Sequence, residues 1–196
     1  MNKSVCLSSV LFIAAGTLLP SFAYAHVGVG EASGFMHGLT HPVSGLDHIC
    51  AMVAVGLWAA QMGGRSVWAV PLTFVGVMVF GGALGMIGVS LPFAETGIVL
   101  SVLILGVLIA ASIRLPLWLG SGMVGLFAIC HGHAHGAEMP ESTSAMTYAS
   151  GFILSTAALH VLGIMSGLGM QRLAHKKVVR LAGASIALCG VYLAVS

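Results

Sequence analysis

The chain has 196 residues, of which 58% are hydrophobic and only 6% charged, with a formal net charge of +2. Soluble domains average about 25% charged residues, so these values exclude an ordinary water-soluble fold and leave an integral membrane protein. No insert is long and polar enough for a separate soluble domain, and the scarcity of basic residues excludes nucleic acid as a partner.

The first segment, MNKSVCLSSVLFIAAGTLLPSFAYAHVG, carries Lys3, an apolar run from Val5 to Leu19, then Pro20 and Ala23-Tyr24-Ala25. A basic start, a short apolar centre and a small-x-small end make a secretory signal peptide, expected over residues 1–25. The alternative is an uncleaved first membrane helix, against which stand the shortness of the run and its ending in Pro and Ala-x-Ala. Cleavage after Ala25 would leave His26 at the new amino terminus, where an imidazole beside a free α-amine makes a chelating pair.

Six apolar segments follow, at about residues 42–61, 67–89, 93–112, 115–130, 145–167 and 178–195. Each is about long enough to cross a hydrocarbon core of ~30 Å at 1.5 Å per residue, and backbone groups in lipid must be satisfied inside helices. The expected fold class is therefore all-α: one polytopic bundle of six transmembrane helices over residues 26–196. Pro42 suits the first position of the first span, because it needs no amide donor there.

Orientation follows from two independent cues. With the amino terminus exported, the first, third and fifth connections face the cytoplasm, and in or beside them lie Arg65, Arg114, Arg172, Lys176, Lys177 and Arg180. That is the positive-inside pattern. The second and fourth connections carry Glu95, Glu138 and Glu141 instead. The expected location is the bacterial inner membrane, with the mature amino terminus in the periplasm.

Gly81 with Gly85, and Gly163 with Gly167, stand at four-residue spacing that lets helix backbones approach closely. Cys50, Cys130 and Cys189 occur singly and read as small buried groups rather than a disulfide or zinc framework, Cys130 being notable because a histidine follows it. The methionines read as packing.

The costly residues are the ionisable ones inside these apolar runs. In HPVSGLDH, His41, Asp47 and His48 begin the first span. In a regular helix the two histidines would stack ~10 Å apart along the axis, too far to bind one ion together, and Asp47 would point about 100° from His48. Gly45 offers a place to bend or unwind, as the broken helices of transporters do. In HGHAHGAE, after the fourth span, a helix would put His131, His135 and Glu138 on one face and His133 on the other; Gly132 and Gly136 also allow a loop. Both clusters meet the bilayer at the same outer level, so packing the first and fourth spans together would build one outward-facing pocket. Imidazole with carboxylate suits nickel, cobalt, zinc or copper, whereas calcium and magnesium prefer oxygen alone. The candidate metal ligands are His41, Asp47, His48, His131, His135 and Glu138, with His37, His133 and His26 beside them. A single membrane histidine is ordinarily an interhelical hydrogen-bonding residue, and His160 is read so; His175, in a basic loop, reads as surface.

The residues His41-(five residues)-Asp47-His48 and His131-Gly132-x-Ala134-His135-Gly136-x-Glu138 resemble the paired motifs of the HupE/UreJ family, secondary permeases for nickel and, in some members, cobalt. The resemblance covers the whole chain, from signal peptide through a histidine at the mature terminus to six spans. It implies that His41, Asp47, His48, His131 and Glu138 take part in transport. One position departs, because the family usually has Phe where Cys130 stands. A thiolate there would add a soft ligand; an inert thiol would change only packing.

No phosphate-binding G-x-x-x-x-G-K-[ST] loop is present, so the chain is not expected to consume ATP or to be an enzyme, and no resident cofactor is expected. A divalent cation moving inward gains ~4.6 kcal/mol per 100 mV of membrane potential, enough for a roughly thousandfold gradient. The partners are then the cation, Ni2+ or Co2+, and the lipid bilayer, with a homo-oligomer left open. Neutral imidazoles are needed, so uptake should fall below pH ~6.5. Two other readings stand beside this one: a membrane metal-binding accessory protein that does not transport, and a haem-ligating membrane protein.

Overall fold

The computed structural model describes residues 31–140, 143–173 and 176–196. The expected signal peptide, His26, Glu141 and His175 lie outside the described residues. Among the described residues there are seven helices and no strand: α1 (Glu31–Ser44), α2 (Leu46–Met62), α3 (Ser66–Met86), α4 (Ala94–Ala111), α5 (Leu117–Ala137), α6 (Ala145–Leu173) and α7 (Lys176–Val195).

Among the described residues four stretches are long and apolar enough to cross a membrane: Ser66–Met86, Ala94–Ala111, Ala145–Arg172 and Lys177–Val195. The bent pair Gly34–Ser44 and Leu46–Met62, kinked by 81°, makes a fifth if taken as one broken span. Helix α5 has 21 residues but gives up apolarity to three imidazoles near its end. Large apolar side chains on the outward faces, among them Trp68, Leu72, Phe80, Trp118, Leu126 and Leu188, are exposed, as a lipid-facing surface requires.

Two boundaries next to the histidine motifs differ from the sequence expectation. Pro42 does not open the first span but lies in the last turn of α1, and the chain breaks three residues later at Gly45, which is extended (φ −100°, ψ 128°) before α2 begins. The fourth apolar segment was expected to end at Cys130; its helix runs on through the histidines to Ala137. The cause is packing. Gly132 and Gly136 lie against the backbone of α3, where any Cβ would collide with the carbonyls of Met78 and Gly82. A close helix pair at this point holds the last turns of α5 in the bundle.

The expected small-residue contacts also form. Gly81 and Gly85 pack on α5 at Ile129 and His133, and Gly163 packs on α2 at Val53 and Leu57. Trp58, Phe74, Met78, Tyr148 and Phe152 fill the centre. At the end of the bundle that carries the basic residues, α2 and α7 cap carbonyls at and just beyond the end of α4: Trp58 Nε1 donates to Ile113 O at 3.0 Å, Gln61 Nε2 to Ile109 O at 3.1 Å and Arg180 Nε to Ala110 O at 2.8 Å. The histidine clusters occupy the opposite end.

Candidate metal centre

The corner between α1 and α2 is built around Gly45. Asp47 sits in the first turn of α2, where a carboxylate complements the exposed amides of a helix start. Its Oδ1 accepts the backbone N–H of His48 at 2.8 Å and also the ring Nδ1–H of His48 at 3.0 Å. A Cβ on residue 45 would stand 2.5 Å from that same Oδ1 and 3.3 Å from His48 Nδ1. Glycine is therefore what makes room for the Asp47–His48 pair. The bend also undoes the regular-helix spacing: the rings of His41 and His48 approach to 6.4 Å between centroids.

The second cluster arrives on α5. His131 is fully buried, and its Nε2 lies 2.9 Å from Ser101 Oγ on α4. That hydroxyl already donates its hydrogen to Ile98 O at 2.6 Å. It can therefore only accept from His131, which fixes the proton on Nε2 and leaves Nδ1 as a free lone pair. By the same accounting, the Asp47 carboxylate fixes the proton of His48 on Nδ1 and leaves Nε2 free. His48 Nε2, His131 Nδ1 and both nitrogens of His135 are buried without a hydrogen-bond partner among the described residues.

These nitrogens belong to one group of rings. His48 lies 5.0 Å from His131 and 4.6 Å from His135, and His41 lies 4.9 Å from His135. His135 is stacked on Phe152, with centroids 5.4 Å apart and planes within 10°. Among the described residues no three His, Cys, Asp or Glu side chains already stand as a coordinating set, so gripping one ion requires the rings to turn.

Burial deepens inward from the mouth. Glu138, at the end of α5, is 55% exposed and accepts from His41 Nε2 at 2.8 Å, while His41 is 22% and His48 12% exposed. His37 lies 6.0 Å from both His41 and Tyr148, ring to ring. Glu138 also lines an open vestibule of about 470 Å³, together with Glu95, Thr96, Phe93 and His133 among others.

The structure thus brings together His37, His41, Asp47, His48, His131, His135 and Glu138. His133 is turned aside, as helical spacing predicts, and its Nε2 donates to Val89 O at 2.7 Å. Cys130 also points away from the rings: its sulfur fills the space that a side chain at Gly97 would take. Of the two roles open to Cys130 in the sequence, the geometry matches packing. Three contributors were not foreseen. Ser101, Tyr148 and Glu95 are polar positions in or beside apolar stretches, and for Ser101 that signal is shared with every serine that merely bonds its own helix.

The model for the HupE / UreJ protein family matches residues 13–193. The chain belongs to this family. It is 48% identical over 190 residues, 96% of this chain and 98% of the relative, to Protein HupE of Rhizobium leguminosarum bv. viciae. No solved structure matches it significantly. Family membership and the apolar helices together make it a multi-pass membrane protein.

Proposed function

We propose that the chain is a secondary permease for a divalent transition metal, nickel first and cobalt next, and that it carries the cation inward across the bacterial inner membrane. The observation that carries this reading is the convergence of free, buried imidazole lone pairs from two distant motifs, His48 on α2 and His131 and His135 on α5. Burying such nitrogens without partners is costly, and a cation that binds them offsets that cost. Imidazole donors beside the Asp47 and Glu138 carboxylates suit borderline metals.

The cation is cargo, and no resident cofactor or catalytic step is needed. It sheds water at the Glu138–His41 mouth, passes to the buried rings and moves on down the membrane potential, with Asp47 offsetting charge. Partial coordination by rings that must turn favours release over trapping. Six crossings, with α1 and α2 forming one broken span and α5 another, put the basic end inside and the histidine end in the periplasm. A purely accessory, metal-holding role fits less well, because the ligands are graded in burial from the mouth inward. The haem reading gains nothing from rings packed against one another with centroids 4.6–5.0 Å apart, which leave no space for a macrocycle between them.

The test is uptake of radiolabelled nickel and cobalt by cells expressing wild type, Asp47→Asn or His131→Ala. Both variants are expected to lose uptake; unchanged uptake in both would remove these residues from the path. Wild-type vesicles that bind nickel at equilibrium yet accumulate none would leave the accessory role.

A further inference from the structure

The sequence reading of His160 as an interhelical hydrogen-bonding residue does not hold. The ring is 2% exposed, and neither Nδ1 nor Nε2 has a partner among the described residues. The Thr156 hydroxyl, one turn earlier on α6, donates to Met78 Sδ at 3.7 Å. A leucine or phenylalanine would fill this volume without forfeiting two polar contacts. A histidine kept here asks for a visiting partner.

Its position says which partner. Phe74 of α3 lies edge-on to His160 at 5.1 Å, and the same ring lies 5.5 Å from His131. His160 and His131 therefore face one aromatic side chain from different levels. Along α2, the backbone of His160 packs on Gly56, eight residues beyond His48, which is about 12 Å deeper at 1.5 Å per residue. On α3, Met78 packs on Gly132, beside His131, and Phe74 is one turn further in. Met78, Thr156, Phe74 and His160 thus line the α3–α6 seam between the buried rings and the middle of the bundle.

We infer that His160 is a second, inner station for the transported cation, taking it from the His48–His131–His135 group past Phe74 and holding it midway. This rests on the permease reading above. Two weak sites in series let an ion leave the first without a free fall in coordination, which one deep site would not. The nitrogen of His160, with the Met78 sulfur on its approach, is a donor set for borderline and soft divalent metals.

The experiment uses the full chain in sealed proteoliposomes for nickel uptake and in detergent for equilibrium nickel binding, with wild type, His131→Ala, His160→Gln and His160→Cys. His160→Gln is expected to keep nickel binding at the outer rings, which are intact, yet to transport nickel about tenfold or more slowly. His131→Ala is expected to lose both. His160→Cys places a thiol at the station and is expected to raise cadmium transport relative to nickel, a change of preference that a packing role would not produce. Wild-type transport by His160→Gln overturns the inner station and leaves the permease reading standing. So does a His160→Cys variant whose cadmium-to-nickel ratio is that of wild type, including the case in which the Gln variant fails to fold. Wild-type vesicles that accumulate no nickel overturn the permease reading, and the inner station with it.

Discussion

Replacing Ser101 with alanine tests the site through a residue that never needs to touch the cation. The hydroxyl is fully buried and accepts from His131 Nε2 at 2.9 Å while donating to Ile98 O at 2.6 Å. Removing it leaves the ring N–H of His131 with no acceptor, and the ring recovers one only by shifting its proton or rotating. Either move withdraws the Nδ1 lone pair from the side facing His48. A hydrogen bond of this kind inside a membrane bundle is worth about 1–2 kcal/mol at most, and at 1.4 kcal/mol per factor of ten the binding-competent ring should be about 5- to 30-fold less available. Nickel affinity, read by equilibrium binding to the purified protein, should weaken by that factor, with uptake at low nickel falling in parallel. Ser101→Thr keeps the hydroxyl and should stay close to wild type. An alanine variant with wild-type affinity would refute the assignment of the His131 proton to Nε2 and the role given to its other nitrogen.

Gly45→Ala places a methyl group against Asp47 Oδ1 and His48 Nδ1, so nickel uptake should fall about 10- to 100-fold while helix content by circular dichroism is unchanged; full uptake would mean that the corner does not seat the pair. Cys50 on α2 and Cys189 on α7 hold their sulfurs 3.5 Å apart, so a mild membrane-permeant oxidant should join the peptides that contain them, as mass spectrometry would show. Failure to cross-link under conditions that oxidise other thiols would contradict the packing of α7 on α2.

The apolar runs of the sequence correspond to helices α2 to α7, because continuous hydrophobicity inside lipid leaves the backbone no other option. Contacts between distant segments were less accessible. The stretch EASGFMHGLTHPVS carries too many glycines and polar residues to announce a helix, and α1 forms there through its contacts with α6, where Gly38 meets the backbone of Tyr148 and Phe152. Gly45 was readable as a place to bend, but the 81° angle depends on the Asp47–His48 pair and on α6. The two histidine motifs were legible as neighbours because topology put both at one membrane level. The proton positions of His48 and His131 were not, since Ser101 lies thirty residues from His131 and its polarity alone does not tell it from a serine that only bonds its own helix. His160 illustrates the same limit: a buried histidine in a span is ordinarily satisfied, and only the fold shows that this one has no partner among the described residues.

The claim on which the rest depends is that His48 from one motif and His131 and His135 from the other grip a single cation. Nickel-edge X-ray absorption on the purified, nickel-loaded chain tests it directly. The expected spectrum shows more than one imidazole bound to each nickel, with that number falling when either His48 or His131 is replaced by alanine. A spectrum dominated by water oxygens or by sulfur, or one that neither replacement alters, would contradict the account.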